Sequence, residues 1–244
     1  MQTSGNSGTA DRARRFLDAF ARIENHLADE AGDSDRFRDF SQLVRESKKL
    51  SEPQRAELKA IARLRNSIVH SSYFGGEPIA DPREDIVAWL EQQADLIESP
   101  PTILHVMGQQ KIRAVKDSDP LESFLQLLRE HRYSQAPVRL QDGGLGLITT
   151  NAVARWLAEE FTVNNGVAEA ATVRDVLQHA ERRDRVVVRP RGTTAAEAVR
   201  MLAGQEGHPP AAIVVTEHGR AEQGPLAICT TADLPALLEA LGVV

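Results

Sequence analysis

The strongest constraint on the fold is an order of hydrophobic periods that occurs twice in the second half of the chain. A short β-branched run at 112–115 gives way to helical spacing over 121–131. Two further β-rich runs follow, at 136–140 and 145–148, joined by the turn Asp142-Gly143-Gly144, and then helical spacing over 153–160. After a segment at 172–177 the order returns as strand 186–188, helix 195–203, strands 212–215 and 226–229, and helix 234–241. A β-α-β-β-α order that recurs at comparable spacing is an internal repeat of two copies.

Upstream the period is helical throughout. From Asp11, the residues Phe16, Leu17, Phe20, Ile23 and Leu27 form one apolar stripe that stops at Gly32. A second run carries Phe37, Phe40, Leu43 and Val44. A third opens at Ser51-Glu52-Pro53, with Ser as cap and Pro in the first turn, carries Leu58, Ile61, Leu64 and Ile68, and stops near Gly75-Gly76. The fourth bears Ile86, Trp89, Leu90, Leu96 and Ile97. Ser99-Pro100-Pro101 cannot continue it. The expected fold class is therefore α+β: an antiparallel four-helix bundle over 10–98, a linker at 99–103, and repeats at 104–164 and 165–244. The Ser-, Gly- and Thr-rich residues 1–9 read as a frayed tail.

Composition narrows the function. The single cysteine, Cys229, excludes internal disulfides and multi-cysteine metal sites, and fits a reducing cytoplasm. No apolar run reaches the ~18 residues of a membrane span, and the polar start is not expected to be a secretory signal. The net charge of −6 argues against broad, salt-driven coating of nucleic acid. That charge is uneven, however: residues 36–65 hold nine basic and four acidic side chains.

Aligned on each other, the two repeats share Tyr133-Ser134-Gln135-Ala136-Pro137-Val138, which opens a strand, and Gly146-Leu147-Ile148-Thr149-Thr150, which enters a helix. The second copy of the latter stretch is Ala227-Ile228-Cys229-Thr230-Thr231-Ala232-Asp233. A strand that ends in Thr and runs into a helix offers a hydroxyl and free backbone N–H groups, a natural phosphate seat. An Asp three residues on can accept ribose hydroxyls. From about Thr102 onward the chain resembles a tandem pair of CBS domains, modules that sense adenosine nucleotides. The resemblance implies a regulatory adenine nucleotide (AMP, ADP, ATP or cyclic di-AMP) held by Thr230 and Asp233. The first copy keeps Thr149 but has Ala152 in place of the Asp, and its opening strand, around Lys116 to Asp119, is expected to line the adenine. The five arginines at 182, 183, 185, 189 and 191 could meet a polyphosphate, although a solvated face is the default expectation.

In the helical half, Arg65-Asn66-Ser67-Ile68-Val69-His70 lies at the end of the third helix. Asn66 and His70 share a face, whereas Arg65 lies about 140° around from His70, so convergence needs a frayed helix end or a second subunit. An Arg-polar-x-x-x-His sequence in a helical unit resembles the HEPN family, whose active members are metal-independent endoribonucleases. The resemblance implies a homodimer in which Arg65 stabilises the scissile phosphate, His70 acts as acid or base and Asn66 orients them. The combined expectation is a cytoplasmic, metal-free homodimer whose nucleotide-sensing pair controls an RNA-cleaving or RNA-binding helical unit. The other expectation is a nucleotide-responsive adaptor whose helices dock a protein. The scattered histidines lack metal-ligand spacing. Trp89, Trp156 and Cys229 read as packing residues.

Overall fold

The computed structural model describes residues 6–32, 39–47, 50–69, 81–131, 133–163 and 171–243, with side chains from Asp11 onward. The chain forms two compact units, Met1–Pro100 and Pro101–Val244.

The first unit is helical: α1 (Asn6–Ala31), α2 (Phe40–Glu46), α3 (Glu52–Val69) and α4 (Glu84–Glu98). Helix α1 begins at Asn6, so residues 6–9 are helical where a tail was expected. Adding residues to a nucleated helix costs only their propensity. The starts are capped locally. Asp39 accepts the Gln42 N–H at 2.8 Å, and Ser51 N–H donates to the Gln54 side chain at 3.0 Å. Phe16, Phe20, Ile23 and Leu27 of α1 share one core with Leu43 and Val44 of α2, Leu58 and Ile61 of α3, and Val87 and Leu90 of α4. Trp89 packs against that core.

An arginine ladder fixes the direction of α4 against α1. Arg15 meets Glu84 and Glu91, both at 2.7 Å, and Arg22 meets Asp95 at 2.7 Å as well as Glu98, while Arg12 pairs with Asp81 before α4 begins. Residue numbers rise together on both sides, so α1 and α4 run parallel. This corrects the antiparallel bundle expected from the sequence. With α2 only seven residues long, the chain has three long spans, and an up-down-up path returns the last parallel to the first.

The second unit runs α5 (Ile103–Met107), β1 (Val115–Lys116), α6 (Leu121–His131), β2 (Gln135–Arg139), β3 (Leu145–Thr149), α7 (Thr150–Thr162), α8 (Val173–Leu177), β4 (Val186–Pro190), α9 (Ala195–Leu202), β5 (Ala212–Thr216), β6 (Pro225–Thr230), a 3-10 turn (Thr231–Asp233) and α10 (Leu234–Ala240). There are two three-stranded sheets, β1-β2-β3 and β4-β5-β6. In each, the first pair is parallel and the second antiparallel. Strand β1 is confined to Val115 and Lys116 rather than running over 112–115. At its end the Lys116 N–H donates to the Asp119 carboxylate at 2.8 Å.

Helices α5 and α8 are exchanged between the repeats. Ile103 of α5 lies in the core of the second sheet with Ile213, Val215 and Leu237. Val173 and Val176 of α8 lie in the core of the first sheet with Phe124, Ile148 and Trp156. Backbone bonds seal both crossings: Ile103 N–H to Thr193 O, and Val173 N–H to Asp119 O, each 2.9 Å. Packing therefore cuts across a division at 164/165. Each five-residue helix is too short to stand alone and is held by the other copy.

Candidate functional site

Strand register defines the end of the second sheet. Val186 pairs with Ala212, and Ala212 with Thr230, so these three residues form one row across β4, β5 and β6. The pairing extends one step further, with Ala211 N–H donating to Arg185 O at 3.0 Å. Arg185, the approach to β5 and the Thr230 turn thus share one sheet end. A cavity of about 440 Å³, walled by Glu181, Arg182, Arg185 and His208, lies along the Arg185 and His208 side of that end. It is a depression open to solvent rather than an enclosed pocket. Arg182 and Arg185 are exposed, and the Arg185 guanidinium is held by His208 O.

Thr230 and Asp233 come together through a reciprocal cap. Asp233 Oδ2 accepts the Thr230 N–H at 2.8 Å and its hydroxyl at 3.1 Å, and Thr230 Oγ1 accepts the Ala232 N–H at 3.2 Å. One carboxylate oxygen is therefore committed to the turn, and Asp233 is half-buried. The departure from glycine at Ala227 is sterically mild. In the first copy a methyl group at Gly146 would meet Leu140 only at ordinary contact distance, 3.4 Å.

In the first copy, Thr149 caps α7 by accepting the Ala152 N–H at 3.1 Å. Ala152 is fully buried. The structure does not bring Asp119 to Thr149. Lys116 pairs with Arg139, which faces Leu145, whereas Thr149 faces Gln135 at the opposite end of the same two strands. Four residues at about 3.3 Å each separate the two ends. Asp119 instead turns back on Lys116 and anchors the α8 crossing. The expectation for Asp119 came from the family resemblance, which places the opening strand of the repeat against the adenine.

The arginine-rich entry to the second repeat is mixed in role. Arg191 pairs with Glu217 at 3.0 Å, and Arg189 is half-buried and bonds Val188 O. Cys229 is fully buried, and desolvation, helped by the nearby Asp233 charge, pushes its thiol up to about 12. Among the described residues, no group of three or more His, Cys, Asp or Glu side chains is placed to hold a metal. Nor is any helix long and apolar enough to cross a membrane.

In the helical unit, Arg65 is half-buried with its guanidinium 5.7 Å from the Phe20 ring centroid, and it donates to Asn66 Oδ1 at 3.4 Å. Asn66 is exposed. His70, Ser71 and Tyr73 lie outside the described residues. Of the basic stretch, Lys59 and Arg63 are exposed on α3, while Arg55 is tied to Glu52 and to Ser47 O.

The match to a family model falls in the second unit. Among curated proteins, none matches the chain. Solved structures to which the chain is similar include CBSX2 in complex with AMP, at 20% identity and a TM-score of 0.40 over 57% of this chain and 97% of that one. The CBS domain of a membrane protein from Sphaerobacter thermophilus matches at 21% identity and a TM-score of 0.39, over 63% and 98%. The CBS domain of a bacterial CNNM/CorC family Mg2+ transporter matches at 19% identity and a TM-score of 0.43, over 80% and 98%. The model of the CBS domain family matches residues 105–159, a stretch that holds β1, α6, β2, β3 and most of α7. The chain thus contains a CBS domain in its second unit.

Proposed function

We propose that the second unit senses an adenine nucleotide (AMP, ADP, ATP or cyclic di-AMP) at one site per chain, and that the helical unit is the output it regulates. The observation that carries this reading is the cavity beside Arg182, Arg185 and His208. It lies at the sheet end where Thr230 and Asp233 close β6, in a unit that contains a CBS domain. In this reading Arg182 and Arg185 meet the phosphates through charge-assisted hydrogen bonds. Thr230 and Asp233 are not among the walls of that cavity; they close the same sheet end from β6, where Asp233 offers the ribose hydroxyls the carboxylate oxygen not used by the cap. The working form is a cytoplasmic homodimer. Calorimetric titration with the four nucleotides tests the site. At least one should bind with one site per chain, and Arg185→Ala should weaken it roughly 10- to 100-fold, as expected for a lost hydrogen bond between charged groups. Failure of all four to bind would reject the reading.

For the output, the seating of Arg65 over Phe20 favours a docking unit over a metal-independent endoribonuclease built from Arg65, Asn66 and His70. A guanidinium committed to an aromatic face of its own unit is a packing group. The measurement is incubation of the protein with labelled RNA, with and without nucleotide. No cleavage is expected. Cleavage that disappears in Arg65→Ala and His70→Ala would reinstate the nuclease.

A further inference from the structure

The corresponding sheet end of the first repeat is arranged differently. Besides capping α7, the Thr149 hydroxyl donates to Oδ1 of Asp184 at 3.3 Å. Asp184 belongs to the entry of the second repeat, one residue before Arg185, and its side chain is only 8% exposed. Its other oxygen accepts the Glu181 N–H at 2.9 Å and pairs with the Arg155 guanidinium. Arg155, from α7, is held in turn by His179 O at 2.8 Å and by Glu181 at 3.3 Å. A buried carboxylate therefore stands against the hydroxyl that opens a 13-residue helix, with a guanidinium closing it from the side.

Hydroxyl, helix start and guanidinium are the partners a phosphate group takes. Here the anion comes from the protein, across the boundary between the two repeats. The second repeat is built differently. Its Thr230 hydroxyl is tied to Asp233 of its own turn, and the segment that crosses onto β6 contributes the neutral Gln110, bonded to Leu226 O and Ile228 N–H. Ala152 agrees with this asymmetry, since the first repeat also lacks the acid that would hold a ribose.

We infer that the Asp184 carboxylate occupies the anion position of the first repeat and closes that repeat to phosphate. The inference extends the nucleotide reading above and rests on it for the role of the second repeat. Asp184 is thereby a residue that sets how many ligands a chain accepts.

The experiment is chemical rescue in the full-length protein, with inorganic phosphate as the probe and chloride of matched ionic strength as the control. Asp184→Ala leaves Arg155 without its closest anion, so its thermal midpoint should fall by several degrees. Millimolar phosphate should recover a substantial part of that loss, with a shift clearly larger than the wild type shows. Asp184→Ser, small and polar, secures a second variant with the position vacated and should show the same phosphate-selective gain. Phosphate shifts in both variants no larger than in the wild type would overturn the inference. A parallel AMP titration of the wild type separates the two readings. Rescue by phosphate without AMP binding sinks the nucleotide site and leaves the Asp184 assignment standing. AMP binding without rescue does the reverse.

Discussion

Asp233 serves the fold before it serves any ligand. Its Oδ2 ties down the Thr230 N–H and hydroxyl and so sets the turn into α10. Asp233→Ala should therefore cost about 1 kcal/mol of stability through the lost cap, read as a lower urea midpoint at unchanged slope. Cys229 gives a sharper test at the same scale. Burial holds its thiol at about 12, so at pH 8 only roughly one molecule in ten thousand carries the thiolate. A thiol reagent at that pH should leave the native protein unmodified and react with one cysteine per chain after denaturation. Fast native labelling would contradict the burial. The cysteine's role was legible because a small apolar residue in a β-rich run packs inward. Asp119 was not legible, since which end of a sheet a residue reaches depends on strand register, and register is set by partners far along the chain.

Among elements, the pairing of α1 with α4 rests on charge as well as on the apolar seam. Hydrogen bonds from Arg15 and Arg22 hold the Glu91 and Glu98 carboxyls below their ordinary values, against the opposing effect of burial. A carboxylate depressed in the folded state contributes stability that is fully present above its unfolded value, about 4.3, and is lost as pH falls through its folded value. The helical unit should therefore lose stability as the pH drops below about 4.5. The double substitution Glu91→Gln, Glu98→Gln should flatten that part of the pH profile, as followed by circular dichroism. An unchanged slope would show that the ladder makes no net contribution. Heptad-like spacing of these charges is visible in the sequence, but their partnership is not, because ion pairs between helices follow from a packing that apolar period alone leaves open.

The short helices show the same limit. Five residues are too few to display a 3.6-residue period, so neither α5 nor α8 carries a helical signature in its apolar spacing. A local signal was nonetheless present. Thr172-Val173-Arg174-Asp175 is a capping-box sequence, and the structure closes it in both directions. Thr172→Ala should remove about 1 kcal/mol from the first repeat's core, in which α8 is seated, measured by denaturant unfolding.

In the whole molecule, the alternation of periods made the mixed α+β class and the doubled strand-helix order readable before any coordinates. The exchange of α5 and α8 was not readable, because it is decided by which hydrophobic pocket a short helix can reach. That exchange, the Arg139 guanidinium bonded to Ala221 O and Gln223 O, and the Asp184 contact on Thr149 bind the two repeats into one body. Occupancy at one sheet end therefore has a physical route to the other repeat, through the Glu181 to Arg185 segment that lines the cavity and carries Asp184. It amounts to regulation only if the nucleotide binds two arrangements unequally. The most direct measurement is calorimetric titration of AMP into the full-length protein alongside Arg185→Ala and Asp233→Asn. The account predicts one site per wild-type chain and affinities at least tenfold weaker in both variants. Binding that is unaffected by either substitution would contradict it.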